Sequence, residues 1–166
     1  MLKKALSCFL LISLMISLSA CYDTPSCSYL LVKVLAVSGE NTDGNGYLYF
    51  AKAQEGEIEY FSDELYSVMF GEGAKERYFS KIEDFAIFVS QRTAGELAIF
   101  KCFSRSDTDD IAEMCLKRAD DIKVALKDSE YEEKSKTIKV EIYGNIVVLY
   151  FIDEPKKAEK KLKGLI

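Results

Sequence analysis

Histidine and tryptophan are both absent from the 166 residues, and proline occurs only twice. Without histidine there is no Ser-His-Asp triad, no Cys-His dyad and no His-ligated metal site. Positive charge is also scarce: 22 Lys and Arg stand against 27 Asp and Glu, a net charge of −5. A nucleic-acid binder needs clustered positive charge, so no nucleic-acid partner is expected. The five cysteines form no C-x-x-C pair, which argues against a zinc site, and no metal or other cofactor is expected. There is no G-x-S-x-G, no phosphate loop and no G-x-G-x-x-G, and neither internal repeats nor low-complexity segments occur. The apolar fraction of 49% and charged fraction of 30% are those of a globular chain.

The first twenty residues carry the most specific signal. Lys3 and Lys4 precede an uncharged, mostly apolar run from Ala5 to Ala20. Sixteen residues are short for a spanning helix, which needs about 20, but suit a signal-peptide core. The run closes on Leu18-Ser19-Ala20-Cys21, which resembles the lipobox of bacterial lipoproteins. That resemblance implies cleavage between Ala20 and Cys21, diacylglycerol on the Cys21 thiol, and a place on the outer, extracytoplasmic face of the cell membrane. Membrane lipid is then the first partner, through diacylglyceryl-cysteine. Loss of residues 1–20 removes two lysines and no acid, leaving 20 bases and 27 acids, a net charge of −7. A protein so acidic is held at an anionic surface by its lipid rather than by its overall charge. A short tether is expected over 21–27, and a single extracytoplasmic domain over 28–166.

Cys8 leaves with the signal, so Cys27, Cys102 and Cys115 remain, an odd number. Cys102 and Cys115 could form a disulfide if a strand and the following helix pack together; two buried free thiols are the alternative.

Ser28–Ser38 is an apolar run too short to type by periodicity, and is read as a short helix. Gly39–Gly46 (GENTDGNG) reads as a turn cluster. Its Asn41, Asp43, Asn45 and Gly46 resemble the start of an EF-hand loop, but Lys52 stands where a bidentate Glu is required, so calcium is not expected. Ser62 should cap a short helix that Gly71 and Gly73 stop. Ile82–Ser90 and Glu96–Ser104 read as two strands. A helix from about Asp107 to Lys127 carries an apolar stripe of Ile111, Met114, Cys115, Ile122, Ala125 and Leu126. Thr137–Tyr143 alternates, with Ile138, Val140 and Ile142 inward. Ile146–Ile152 is unbroken and reads as a strand covered on both faces. Pro155 opens a last helix with Ala158, Leu162 and Ile166 in line. The expected fold is therefore α+β: an antiparallel sheet of about four strands, two hairpins in the order β-β-α-β-β-α, covered by helices.

Three residue sets carry that frame. Gly95-Glu-Leu-Ala-Ile-Phe-Lys101 lies in a strand, Lys117-Arg118 in the following helix, and Tyr143-Gly-Asn-Ile-Val-Val-Leu149 in the closing hairpin. Together with the looser Leu65-Tyr66 and Gly71, they are similar to the domain of unknown function numbered forty-three fifty-eight, found in predicted lipoproteins of clostridia and their relatives. The resemblance implies an address and a fold, and no activity.

Arg118 falls within the apolar stripe, where a charge should not stand unpaired. Two placements are open: a partly buried, bidentate pair with Glu96 on the preceding strand, or a packed stem with its head in water. The aromatics concentrated between Tyr47 and Phe88 could line a groove for peptide or glycan, or form a core. Lys156, Lys157, Lys160, Lys161 and Lys163 make the last helix basic, either as a solvated face or as one drawn to anionic lipid. The function expected is non-catalytic, in binding or envelope assembly, with an envelope protein or peptide as ligand. The alternative is a cell-envelope hydrolase using paired carboxylates.

Overall fold

The computed structural model describes residues 24–40 and 43–166. Its lipobox-like segment, with Ala20 and Cys21, therefore lies outside the described residues, as do Asn41 and Thr42.

Five strands form one antiparallel sheet: β1 (Gly44–Phe50), β2 (Ile82–Ser90), β3 (Glu96–Cys102), β4 (Lys139–Tyr143) and β5 (Ile146–Phe151), in the spatial order β1-β2-β3-β5-β4. Phe85 faces Phe100, and Phe100 faces Val147, so apolar side chains meet in register across the three middle strands. Every residue of β5 is buried, as its unbroken apolar run requires of a central strand with both faces covered.

Among the described residues six α-helices surround the sheet. α1 (Cys27–Leu35) and α6 (Pro155–Lys163) pack side by side on one face. They bury Leu30, Val34, Ala158 and Leu162 against Phe88, Leu97, Ile99 and Val148. On the other face lie α2 (Asp63–Phe70), α3 (Ala74–Tyr78) and α4 (Thr108–Ala125), with α5 (Glu132–Ser135) following α4. Here Phe85 is the hub of an aromatic core, with Tyr49 stacked on it at 5.0 Å and Phe61 meeting it edge-on at 5.0 Å. Geometries of this kind add roughly 0.5–1.5 kcal/mol per pair to plain burial. The aromatic-rich stretch is thus mostly core, although Phe50 and Tyr60 remain partly exposed.

Local chemistry sets the helix ends. Ser26 accepts from the Tyr29 N–H, and Ser62 from the Leu65 N–H. Gly71, at φ 90°, ends α2 in a conformation that side chains other than glycine rarely adopt. Ahead of α4, the Ser104 N–H and hydroxyl both donate to the Asp107 carboxylate.

Several expectations need correction. The sheet has five strands: the turn read over Gly39–Gly46 ends sooner, and Gly44 already pairs with Ser90. Cys27, placed in the expected tether over 21–27, is instead fully buried as the first residue of α1. Ile142, read as inward, is exposed on the edge strand, and Ile166 is exposed as well. In α4 the stripe continues through Ala119 rather than Ala125. The disulfide considered between Cys102 and Cys115 is not formed: Cys27, Cys102 and Cys115 are buried free thiols.

Candidate functional site

The two ends of the sheet differ in chemistry. At the end where β2 begins and β3 finishes, a β-bulge changes the local direction of the side chains. Ile82 pairs with Cys102 and Asp84 with Lys101, so two steps on β2 match one on β3. Glu83 and Asp84, neighbours that regular pleating would send to opposite faces, both line one cleft. Thr24, Ser26, Ser28, Phe50, Glu59 and Lys101 complete a hollow of about 500 Å3.

Each charged group of this cleft that lies on the sheet is held. Asp84 accepts the Cys27 N–H at 2.6 Å, one of the donors that the first turn of α1 leaves without a helical partner. Burial raises the Asp84 carboxyl above the ordinary aspartate range, and the Cys27 bonds offset part of this. The Cys27 thiol donates to the Asp84 backbone carbonyl at 3.4 Å. Burial pushes that thiol well up, and the Asp84 charge adds to the effect, which keeps it out of the nucleophilic thiolate form. Lys101 reaches Glu83 at 3.2 Å. Three carboxyl groups face one ammonium, so the cleft favours a ligand that brings positive charge or hydrogen-bond donors.

The opposite end is cross-braced. Arg118 on α4 and Glu96 on β3 are paired: Nε lies 3.2 Å from both carboxylate oxygens and an Nη donates to one at 2.7 Å. Glu96 is 3% exposed. Hydrogen bonding to Glu96 holds the guanidinium protonated against the burial that opposes it. Val89, Ala94, Asp121, Ile122, Ala125 and Leu126 complete a shallow hollow of about 300 Å3 around the pair. Nearby, Glu40 is a second buried carboxylate. Its side chain, wholly inaccessible, accepts from the Thr93 hydroxyl, the Lys134 ammonium at 2.6 Å and the Asp153 N–H at 2.9 Å. Lys134 also bonds Asp153 at 2.8 Å and the Thr93 carbonyl at 3.1 Å. Gly95 passes so close that a Cβ there would collide with the Glu40 carboxylate. Four segments of chain thus meet on one ion pair.

Sequence reasoning singled out Glu96, Arg118 and the three cysteines of the fold, but not Glu40, Lys134, Glu83, Asp84 or Lys101. Two consecutive acids at the start of β2 are the one sequence signal that points to the cleft. Cys102 and Cys115 lie in the core between β3 and α4, and burial pushes the Cys102 thiol up to about 12. Among the described residues no group of three or more His, Cys, Asp or Glu could hold a metal ion, and no helix is long and apolar enough to cross a membrane.

No family model, no curated protein and no solved structure matches the chain.

Proposed function

We propose that this chain is a lipid-anchored extracytoplasmic protein of a bacterial envelope, with a role in binding or assembly rather than catalysis. The observation that carries the reading is the position of Thr24. It is the third residue after Cys21 and already lines the cleft. An acyl chain on Cys21 would therefore lie within about 10 Å of the cleft along the chain. A ligand taken there is met at the bilayer surface. The lipobox-like Leu18-Ser19-Ala20-Cys21 supports the same address.

The hydrolase reading draws less support from this geometry. A two-acid mechanism needs one carboxyl free to give a proton and another free to attack or to activate water. Glu83 is held by Lys101, and Asp84 by the backbone of Cys27. The hydroxyls of Ser26 and Ser28 bond each other at 3.1 Å and have no histidine to activate them. A fixed, acid-rich cleft instead fits an envelope protein or peptide segment that presents lysine, arginine or a free amine.

Photo-crosslinking in intact cells tests this. A photoreactive residue at Ser28, beside the cleft, should capture a discrete envelope partner, and one at Val124 on α4 should not. Equal capture from both positions, or none from Ser28, would overturn the binding role.

A further inference from the structure

The two helical layers carry opposite charge. α1 and α6 together hold six lysines, Lys33 and five on α6, against the single acid Glu159. On the other face α2, α3 and α4 hold eight acids against five bases. A protein of net negative charge therefore presents one positive face. Two of the α6 lysines are engaged within the chain: Lys157 pairs with Glu154 at 3.0 Å, and Lys163 with Glu159 at 2.6 Å. Lys156, Lys160 and Lys161 are exposed and pair with no carboxylate among the described residues. Lys157, Lys160 and Lys161, one helical turn apart, rim a hollow of about 380 Å3 with Val37 and Gly164. Large apolar side chains lie on the same layer and just beyond it: Tyr29 and Val32 on α1, and Ile166 after α6, are all exposed.

We infer that the outer face of α1 and α6 rests on an anionic bilayer, its lysines on lipid phosphates and Tyr29 and Val32 at the headgroup level. Charge favours this occupant. Each lysine near an anionic leaflet adds to the attraction, which fades within a Debye length. The start of the described chain favours it too: Thr24 stands three residues before Cys27, the first residue of α1, so a lipid on Cys21 would deliver this layer, not the acidic one, to the surface. The two acyl chains of a diacylglyceryl group already hold a protein at the bilayer, so the basic face would set how the domain is oriented there rather than whether it stays. The inference rests on the lipid-anchor reading for its setting, but its chemistry is measurable without any lipid on the protein.

Every element described lies within 24–166, so a chain that begins at Thr24 keeps the sheet, both cores and the six described helices. This unlipidated chain should bind vesicles of phosphatidylglycerol and phosphatidylcholine at low salt. It should bind at least tenfold more weakly to phosphatidylcholine alone, at 500 mM salt, and in the triple variant K156E/K160E/K161E. The native thiols are buried, so an environment-sensitive dye can be placed singly through Val32→Cys or Val124→Cys. The first should shift to the blue on anionic vesicles and the second should not. No binding to anionic vesicles at low salt, binding indifferent to lipid charge, salt or the triple variant, or equal shifts at both positions would overturn the inference. Because this chain lacks Cys21, those results stand apart from whether Cys21 carries lipid in cells.

Discussion

Arg118 grips Glu96 through three hydrogen bonds between α4 and β3, and buries the carboxylate at the end of the sheet remote from Thr24. Removing the guanidinium leaves a desolvated charge behind. Arg118→Ala should therefore cost on the order of 3 kcal/mol. Arg118→Lys should recover only part of this, because an ammonium cannot reproduce the forked contact. The double variant Glu96→Leu with Arg118→Met should lie much closer to wild type than Arg118→Ala. Urea unfolding of all three checks the pairing, and a loss under 0.5 kcal/mol for Arg118→Ala would contradict it.

Glu40 gathers the α1–β1 connection, the β2–β3 turn, α5 and the segment after β5. Glu40→Ala should cost about 2–3 kcal/mol, since it removes one acceptor from Lys134, from the Thr93 hydroxyl and from the Asp153 N–H together. Gly95→Ala should also destabilise, because its Cβ would enter the space of the Glu40 carboxylate. Chemical denaturation measures both. If Glu40→Ala unfolds like wild type, the clamp has no energetic weight.

Asp84 sets a pH dependence of defined sign. Its folded carboxyl titrates above the ordinary aspartate value because it is buried. Between those two values the folded state binds more protons than the unfolded state, so this residue makes stability fall as pH rises. The effect is complete once pH exceeds the folded value. Asp84→Asn keeps an acceptor for the Cys27 N–H and should flatten the curve over that window, with neutral-pH stability equal to or above wild type. Thermal midpoints from pH 3 to 8 give the answer; a variant whose curve parallels wild type would contradict the assignment.

The three thiols of the fold should be silent in the native state. Burial raises all three, aided by the Asp84 charge at Cys27 and by Glu96 at Cys115. A chromogenic disulfide reagent should titrate none in the folded chain that begins at Thr24, and three in denaturant. A count of one in denaturant would mean that a disulfide links two of them.

How much of this was legible beforehand follows physical lines. β2, β3 and β5 announce themselves through apolar runs, and α4 through its stripe, because burial on a regular element imposes a period. β1 did not: Gly-Asn-Gly opens it, and those residues favour turns in isolation. The ladder offered by β2 overrides that local preference, and only the Tyr47-Leu48-Tyr49 alternation hints at it. Ile142 misled for the opposite reason, since its alternation is regular but its place on the edge strand leaves it exposed. The Arg118–Glu96 pair was within reach because a charge interrupts an apolar stripe. Glu40 and Lys134 lie 94 residues apart, and nothing local marks either as a buried partner. The cleft depends on a bulge, which two adjacent acids signal only in hindsight.

The most direct test of the whole account is the intact mass of the protein extracted from the membrane fraction of cells that make it. The account predicts a chain lacking residues 1–20, heavier than residues 21–166 by the mass of a diacylglyceryl group or more, with the added mass confined to Cys21 and lost in Cys21→Ser. A full-length chain with unmodified Cys21, recovered from the soluble fraction, would contradict it.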